Sequence, residues 1–65
     1  MFDVQHEDDA WDVGVLWGAG LIDGSASELG IPQELEEFFE YGQHDGANVP
    51  ESRVLVLAAR WQVDA

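Results

Sequence analysis

The sequence predicts a mainly α fold, a compact bundle of about three short helices, and three stretches carry that expectation. Ile31 to Gly42, "IPQELEEFFEYG", places Pro32 early, Leu35, Phe38 and Phe39 at helical spacing, and Gly42 as a stop. Asp8 to Ala19 sets Trp11, Gly14, Val15 and Gly18 on one face. From Pro50, "PESRVLVLAARWQVD" has Val54, Leu57, Ala58 and Trp61 at helical spacing, with Pro50 and Glu51 in the first turn. In that last stretch Leu55, Leu57, Ala59, Trp61 and Val63 also alternate as in a strand. An α+β fold, with residues 53–63 as a strand pairing with 2–5, is therefore the alternative.

Taken in order, the first helix opens on Asp8 and Asp9, which supply an N-cap and negative charge at the positive end of the helix dipole. Its two interior glycines, Gly14 and Gly18, and its valines weigh against it, since each glycine costs about 1 kcal/mol relative to alanine. If it ends at Ala19, Gly20 takes the left-handed position and Leu21 folds back on Leu16, a Schellman stop with its hydrophobic contact. Ile22-Asp23-Gly24 then turns the chain. Ser25-Ala26-Ser27-Glu28 has capping-box spacing and opens a short helical turn that Gly30 stops. Beyond the Ile31–Gly42 helix, "GQHDGANVP" reads as a loop from its Gly, Asn, Asp and Pro content.

The 65 residues form a single acidic domain, 1–65, with neither a repeat nor a linker. A chain of this size buries only about 60% of the surface its unfolded form exposes, which leaves little room for a closed enzyme pocket. Seven aromatic residues and 46% apolar composition are enough for a folded core. Trp11 and Trp17 are expected inside that core, and Trp61 divides between core and interface. There is no cysteine to staple it.

Charge is the strongest feature. Fourteen acidic residues face two arginines and no lysine, a net charge of −12, and thirteen carboxylates precede Arg53. Such a field repels nucleic acid and anionic lipid and attracts basic surfaces. Neither direct nucleic-acid binding nor membrane association is expected on that ground. No apolar run approaches the roughly 20 residues of a membrane span, and Met1-Phe2-Asp3 lacks the basic start of a signal peptide. A soluble, cytoplasmic protein is expected, in the host cell's cytoplasm if a phage encodes it.

Ala19-Gly20-Leu21-Ile22-Asp23 resembles the motif of the LAGLIDADG homing endonucleases. Aligned on those letters, the family's metal-binding acid falls at Ser25 and its glycine at Ala26, so the catalytic carboxylate is missing. His6 beside Glu7, Asp8 and Asp9, and His44 beside Asp45, form carboxylate clusters of the kind a hard divalent cation takes. Neither has the H-x-x-x-H or E-x-x-H spacing that fixes a metal, and no cofactor, metal or catalytic residue is expected. No Ser/His/Asp set has a positional signature either, and the chain is expected not to be an enzyme.

The candidate binding residues are two acidic rows, Glu34, Glu36, Glu37 and Glu40 on one helix and Glu7, Asp8, Asp9 and Asp12 on another, with Asp45 beyond the first. Glu34/Glu37, Glu37/Glu40 and Glu36/Glu40 stand at i,i+3 or i,i+4, where like charges cost a few tenths of a kcal/mol per pair. In size, charge and lack of lysine the chain resembles the small phage-encoded DNA mimics, including certain anti-CRISPR proteins and inhibitors of restriction or repair enzymes. That resemblance implies a non-enzymatic inhibitor of a bacterial defence or nucleic-acid-processing complex, such as a CRISPR effector, working by occlusion of a basic groove. Its partner would be the basic surface of a nucleic-acid-binding protein. The alternatives are a salt-adapted protein of a halophile and an acidic subunit of a basic protein. A homodimer would double the acidic surface and cover exposed aromatics.

Overall fold

The computed structural model describes residues 2–64, and helices dominate them: α1 (Glu7–Gly18), α2 (Ala26–Leu29), a 3₁₀ turn at Gln33–Leu35, α3 (Glu36–Asp45) and α4 (Glu51–Trp61). The mainly α expectation holds, and no strand occurs among the described residues. The strand alternative for residues 53–63 is thereby corrected. The Pro50 carbonyl accepts from the Arg53 and Val54 N–H groups, starting α4, and Gln62 ends it in the left-handed conformation with Val63 N–H on the Ala58 carbonyl. The buried residues Val54, Leu57 and Ala58 follow the 3.6-residue period, so the two-residue alternation of the sequence has no structural counterpart. Residues 2–5 find another partner: Phe2 N–H donates to the Leu29 carbonyl at 3.0 Å, and its ring meets Trp61 edge to face at 5.9 Å.

The stop of α1 is the expected one. Gly20 sits at φ 85°, Gly20 N–H donates to the Trp17 carbonyl, and Leu21 N–H donates to the Leu16 carbonyl, both at 3.0 Å. Leu16 and Leu21 also share a hydrophobic cluster, completing the Schellman contact. The capping box at Ser25 forms as well, with Ser25 N–H on Glu28 Oε1 at 2.9 Å and Glu28 N–H on Ser25 Oγ at 3.3 Å.

The start of α1 and the end of α3 differ from expectation. His6, not Asp8 or Asp9, is the N-cap residue of α1, and Asp9 stands one turn in with its carboxylate accepting from the Gln5 and His6 N–H groups at 3.2 Å each. Helix α3 begins later than Ile31, after the 3₁₀ turn, and continues through Gly42 to Asp45, into what reads as loop. Gly42 does not stop the helix because it serves a crossing. A Cβ on Gly42 would overlap the Trp11 carbonyl oxygen, and one on Gly14 would overlap the Phe39 carbonyl oxygen. Gly18 and Gly46 extend the same backbone contact one turn further.

Because Gly14 meets Gly42 and Gly18 meets Gly46, α1 and α3 run parallel, and the long 19–35 connection returns the chain between them. Helix α4 runs the other way, its Arg60 end beside Asp9 and Asp12 and its Glu51 end beside Gly18 and Ala19. Helix α1 is thus the central element, and residues 9, 10 and 12–16 of it are all buried. Ala10 and Val13 pack with Val4, Leu29, Ile31 and Phe39, while Val15 and Leu16 pack with Val54, Leu57 and Ala58. Leu16 alone, fully buried, contributes about 1.5–3 kcal/mol. Trp11 and Trp17 stand further out than expected. Trp11 is half-buried, Trp17 is exposed with its indole N–H on the Gly24 carbonyl at 3.0 Å, and Trp61 bridges the two clusters.

Candidate partner-binding surface

Parallel packing puts the N-termini of α1 and α3 at one end of the molecule. There Glu7 and Asp8 share a shallow cleft with Leu35, whose chain neighbours are Glu34 and Glu36. Acidic side chains are favourable in the first turn of a helix, where the dipole presents its positive end, and this architecture gathers two such turns.

The nine candidate residues divide into three environments. Asp9 and Asp12 are buried, 7% and 5% exposed, and are corrected out of the outward row. At their positions α1 faces α4, and Arg60 reaches across to both. Arg60 Nη2 lies 2.7 Å from Asp9 Oδ1, Arg60 Nη1 donates to Asp12 Oδ2, and Trp61 Nε1 donates to the same Asp12 oxygen at 3.3 Å. Burial raises the Asp9 carboxyl, but the Gln5 and His6 N–H groups and the Arg60 guanidinium outweigh it and hold Asp9 below the usual carboxylate range. Asp12 goes the other way. Burial, aided by the Asp9 and Asp8 charges, pushes it up against the Trp61 hydrogen bond and the Arg60 charge.

Asp45 is exposed but engaged. It accepts the Trp11 indole N–H at 3.0 Å, tying the end of α3 to α1, and lies 3.7 Å from His44 Nδ1. Glu7, Asp8, Glu34, Glu37 and Glu40 are exposed and Glu36 is half-buried. Among the described residues none of these six is in an ion pair, because Arg60 is turned inward and Arg53 stands on α4. Among the described residues their one side-chain hydrogen bond runs from Tyr41 Oη to Glu37 Oε2 at 3.4 Å.

Such carboxylates accept charge-assisted hydrogen bonds, and guanidinium groups bind them two-pronged. Among the described residues no three His, Asp or Glu side chains converge as metal ligands. No helix of the described residues is long and apolar enough to cross a membrane.

Three contributors were not legible from sequence: Arg60, Trp61 and Tyr41. Arg60 and Trp61 organise the buried aspartates from about fifty positions away along the chain. Tyr41, 54% exposed and packed edge to face on Phe38, places an aromatic ring inside the α3 acidic row. The available signal was the Tyr41 spacing from Glu37, one helical turn. The fold and this surface define a small all-α domain with one set of carboxylates paired inside to a single arginine and another presented without an ion-pair partner among the described residues. Comparison with known proteins finds no family model, no curated protein and no solved structure that matches the chain.

Proposed function

We propose that the chain is a non-enzymatic inhibitor that mimics nucleic-acid charge and occludes a basic DNA- or RNA-binding groove of a bacterial defence or nucleic-acid-processing complex, such as a CRISPR effector. The observation that carries this reading is the uncompensated row Glu36, Glu37 and Glu40 on α3, continued by Glu34, Glu7 and Asp8 at the shared helix end. Duplex DNA offers one charge per about 1.7 Å of its axis. Helical carboxylates about 5–6 Å apart meet the same Lys and Arg side chains from a rigid base. The glycine crossing supplies that rigidity, since α3 is seated backbone to backbone on α1. Tyr41 adds a ring face to which an arginine of the groove binds.

Occlusion requires no chemistry, and the site of action is the cytoplasm of the bacterial host, where such complexes work. The test is displacement of a fluorescein-labelled target duplex from purified CRISPR effector ribonucleoproteins. The wild-type chain is expected to release the duplex in proportion to its concentration. A duplex that stays bound to every effector at saturating protein removes this reading.

A further inference from the structure

Helix α4 has two apolar stripes, and the fold uses only one. Val54, Leu57 and Ala58 face the core, with Trp61 half-buried beside them. On the opposite side Ser52, Leu55, Val56 and Ala59 follow the i, i+3, i+4, i+7 spacing of a helix-pairing seam, and all four are exposed, Leu55 by 47% and Val56 by 62%. The bulky residues lie in the middle and the small ones at the ends. An antiparallel second α4 related by a two-fold axis therefore sets Leu55 against Val56 of the other copy, and Ser52 against Ala59.

Charge selects the occupant. Helix α4 carries both arginines of the chain and one carboxylate, Glu51, whereas thirteen of the fourteen acidic residues lie elsewhere. Two chains of net charge −12 repel least along this helix. A basic partner is drawn instead to α3 and turned away here by Arg53, unpaired among the described residues. Arg53 is exposed, has no ion pair among the described residues, and flanks the seam in a cleft it shares with Asp8, Trp11 and Arg60. The two-fold brings the second copy's Arg53 level with residue 58, on the flank where Asp8 stands, so that each arginine meets an aspartate across the interface.

The geometry points to a homodimer built on the outer face of α4, with Leu55 and Val56 at its centre and Arg53–Asp8 pairs at its rim. Helices α3 and α4 each pack chiefly on α1, and Glu37 and Glu40 are exposed with Glu36 half-buried on α3, so a dimer through the outer face of α4 leaves that row outward on both copies. The inference shares Asp8 with the proposed binding row and does not depend on what binds Glu36, Glu37 and Glu40.

Sedimentation equilibrium of the full chain, from about 10 µM to about 1 mM, reads the dimer directly in the range expected of a small interface. Wild type is expected to dimerise, and Leu55→Asp with Val56→Asp to remain monomeric with an unchanged far-UV circular dichroism spectrum. Arg53→Asp is expected to weaken the dimer about tenfold, and the added Asp8→Arg to restore it. In this cysteine-free chain, Ser52→Cys mixed with Ala59→Cys is expected to cross-link on oxidation, while Ser52→Cys alone does not. Wild type that stays monomeric across the range, a dimer that survives Leu55→Asp with Val56→Asp, or cross-linking of Ser52→Cys to itself overturns the proposal.

Discussion

Helices α3 and α4 flank the same central helix and are held to it by different physics. Helix α3 meets α1 through backbone, at Gly14/Gly42 and Gly18/Gly46, with Phe39 packed beside Ala10 and Val13, and presents acid outward. Helix α4 meets α1 through side chains, an apolar cluster and the Arg60 bridge to Asp9 and Asp12, and presents apolar residues outward. The close crossing uses one carboxylate for its attachment, Asp45 on the Trp11 indole N–H, so every glutamate of α3 is left over. The α4 contact uses Arg60 for its attachment, so Asp9 and Asp12 are not available to a partner. In this domain the way a helix is fastened decides which of its charges face outward.

The α3 side breaks most severely. Gly42→Ala drives a methyl group into a backbone carbonyl of α1 that cannot rotate away, and the loss of stability is expected at the upper end of about 1–3 kcal/mol for overpacking. Urea unfolding with full far-UV spectra measures it. On the α4 side, Arg60→Ala strands two buried carboxylates. Breaking a buried pair costs about 3–5 kcal/mol, and because the Arg60 side chain is 52% exposed the expected loss is smaller, about 2 kcal/mol.

The two aspartates sharpen the comparison through pH. Asp9 is held below its unfolded value of about 3.9, so its ionised form stabilises the fold at neutral pH, and that contribution is lost as pH falls through the folded value. Asp12 is held above it, so its contribution is complete below about pH 3.9 and is lost as pH rises through the folded value. Asp9→Asn is therefore expected to cost more than Asp12→Asn at about pH 7, by on the order of 1 kcal/mol, with the gap closing toward about pH 3. Equal costs at both ends of that range would mean that the aspartates share one environment. The smallest effect belongs to the exposed row. Glu40→Lys turns the Glu36/Glu40 repulsion into an attraction and is expected to stabilise by about 0.5 kcal/mol, or roughly 2–4 °C in the thermal midpoint, a gain that shrinks in high salt.

Local signals were readable in the sequence and distant ones were not. The Schellman stop at Gly20 and Leu21 and the capping box at Ser25 and Glu28 depend on residues within one turn, and both form as the letters indicate. Gly42 misleads because a glycine required by a crossing and a glycine that ends a helix look the same in one dimension. Its true role depends on Trp11 and Gly14, about thirty positions earlier. Asp9 and Asp12 mislead for the same reason, since their cation lies about fifty residues ahead and only the antiparallel α4 brings it near. The α3 glutamates kept their predicted exposure, with Glu36 half-buried, because among the described residues no arginine pairs with that face.

The central claim is that the bare carboxylates of α3, and not the acidity of the chain as a whole, occupy a nucleic-acid-binding groove. Displacement of a labelled duplex from a CRISPR effector that the wild-type chain inhibits, repeated with Glu36→Lys/Glu40→Lys and with Asp9→Asn, tests it most directly. The account predicts that the α3 pair abolishes displacement while its circular dichroism spectrum is unchanged, and that Asp9→Asn, which removes a buried charge, displaces the duplex as well as wild type under conditions where it is folded. Displacement undiminished by the α3 pair would contradict it.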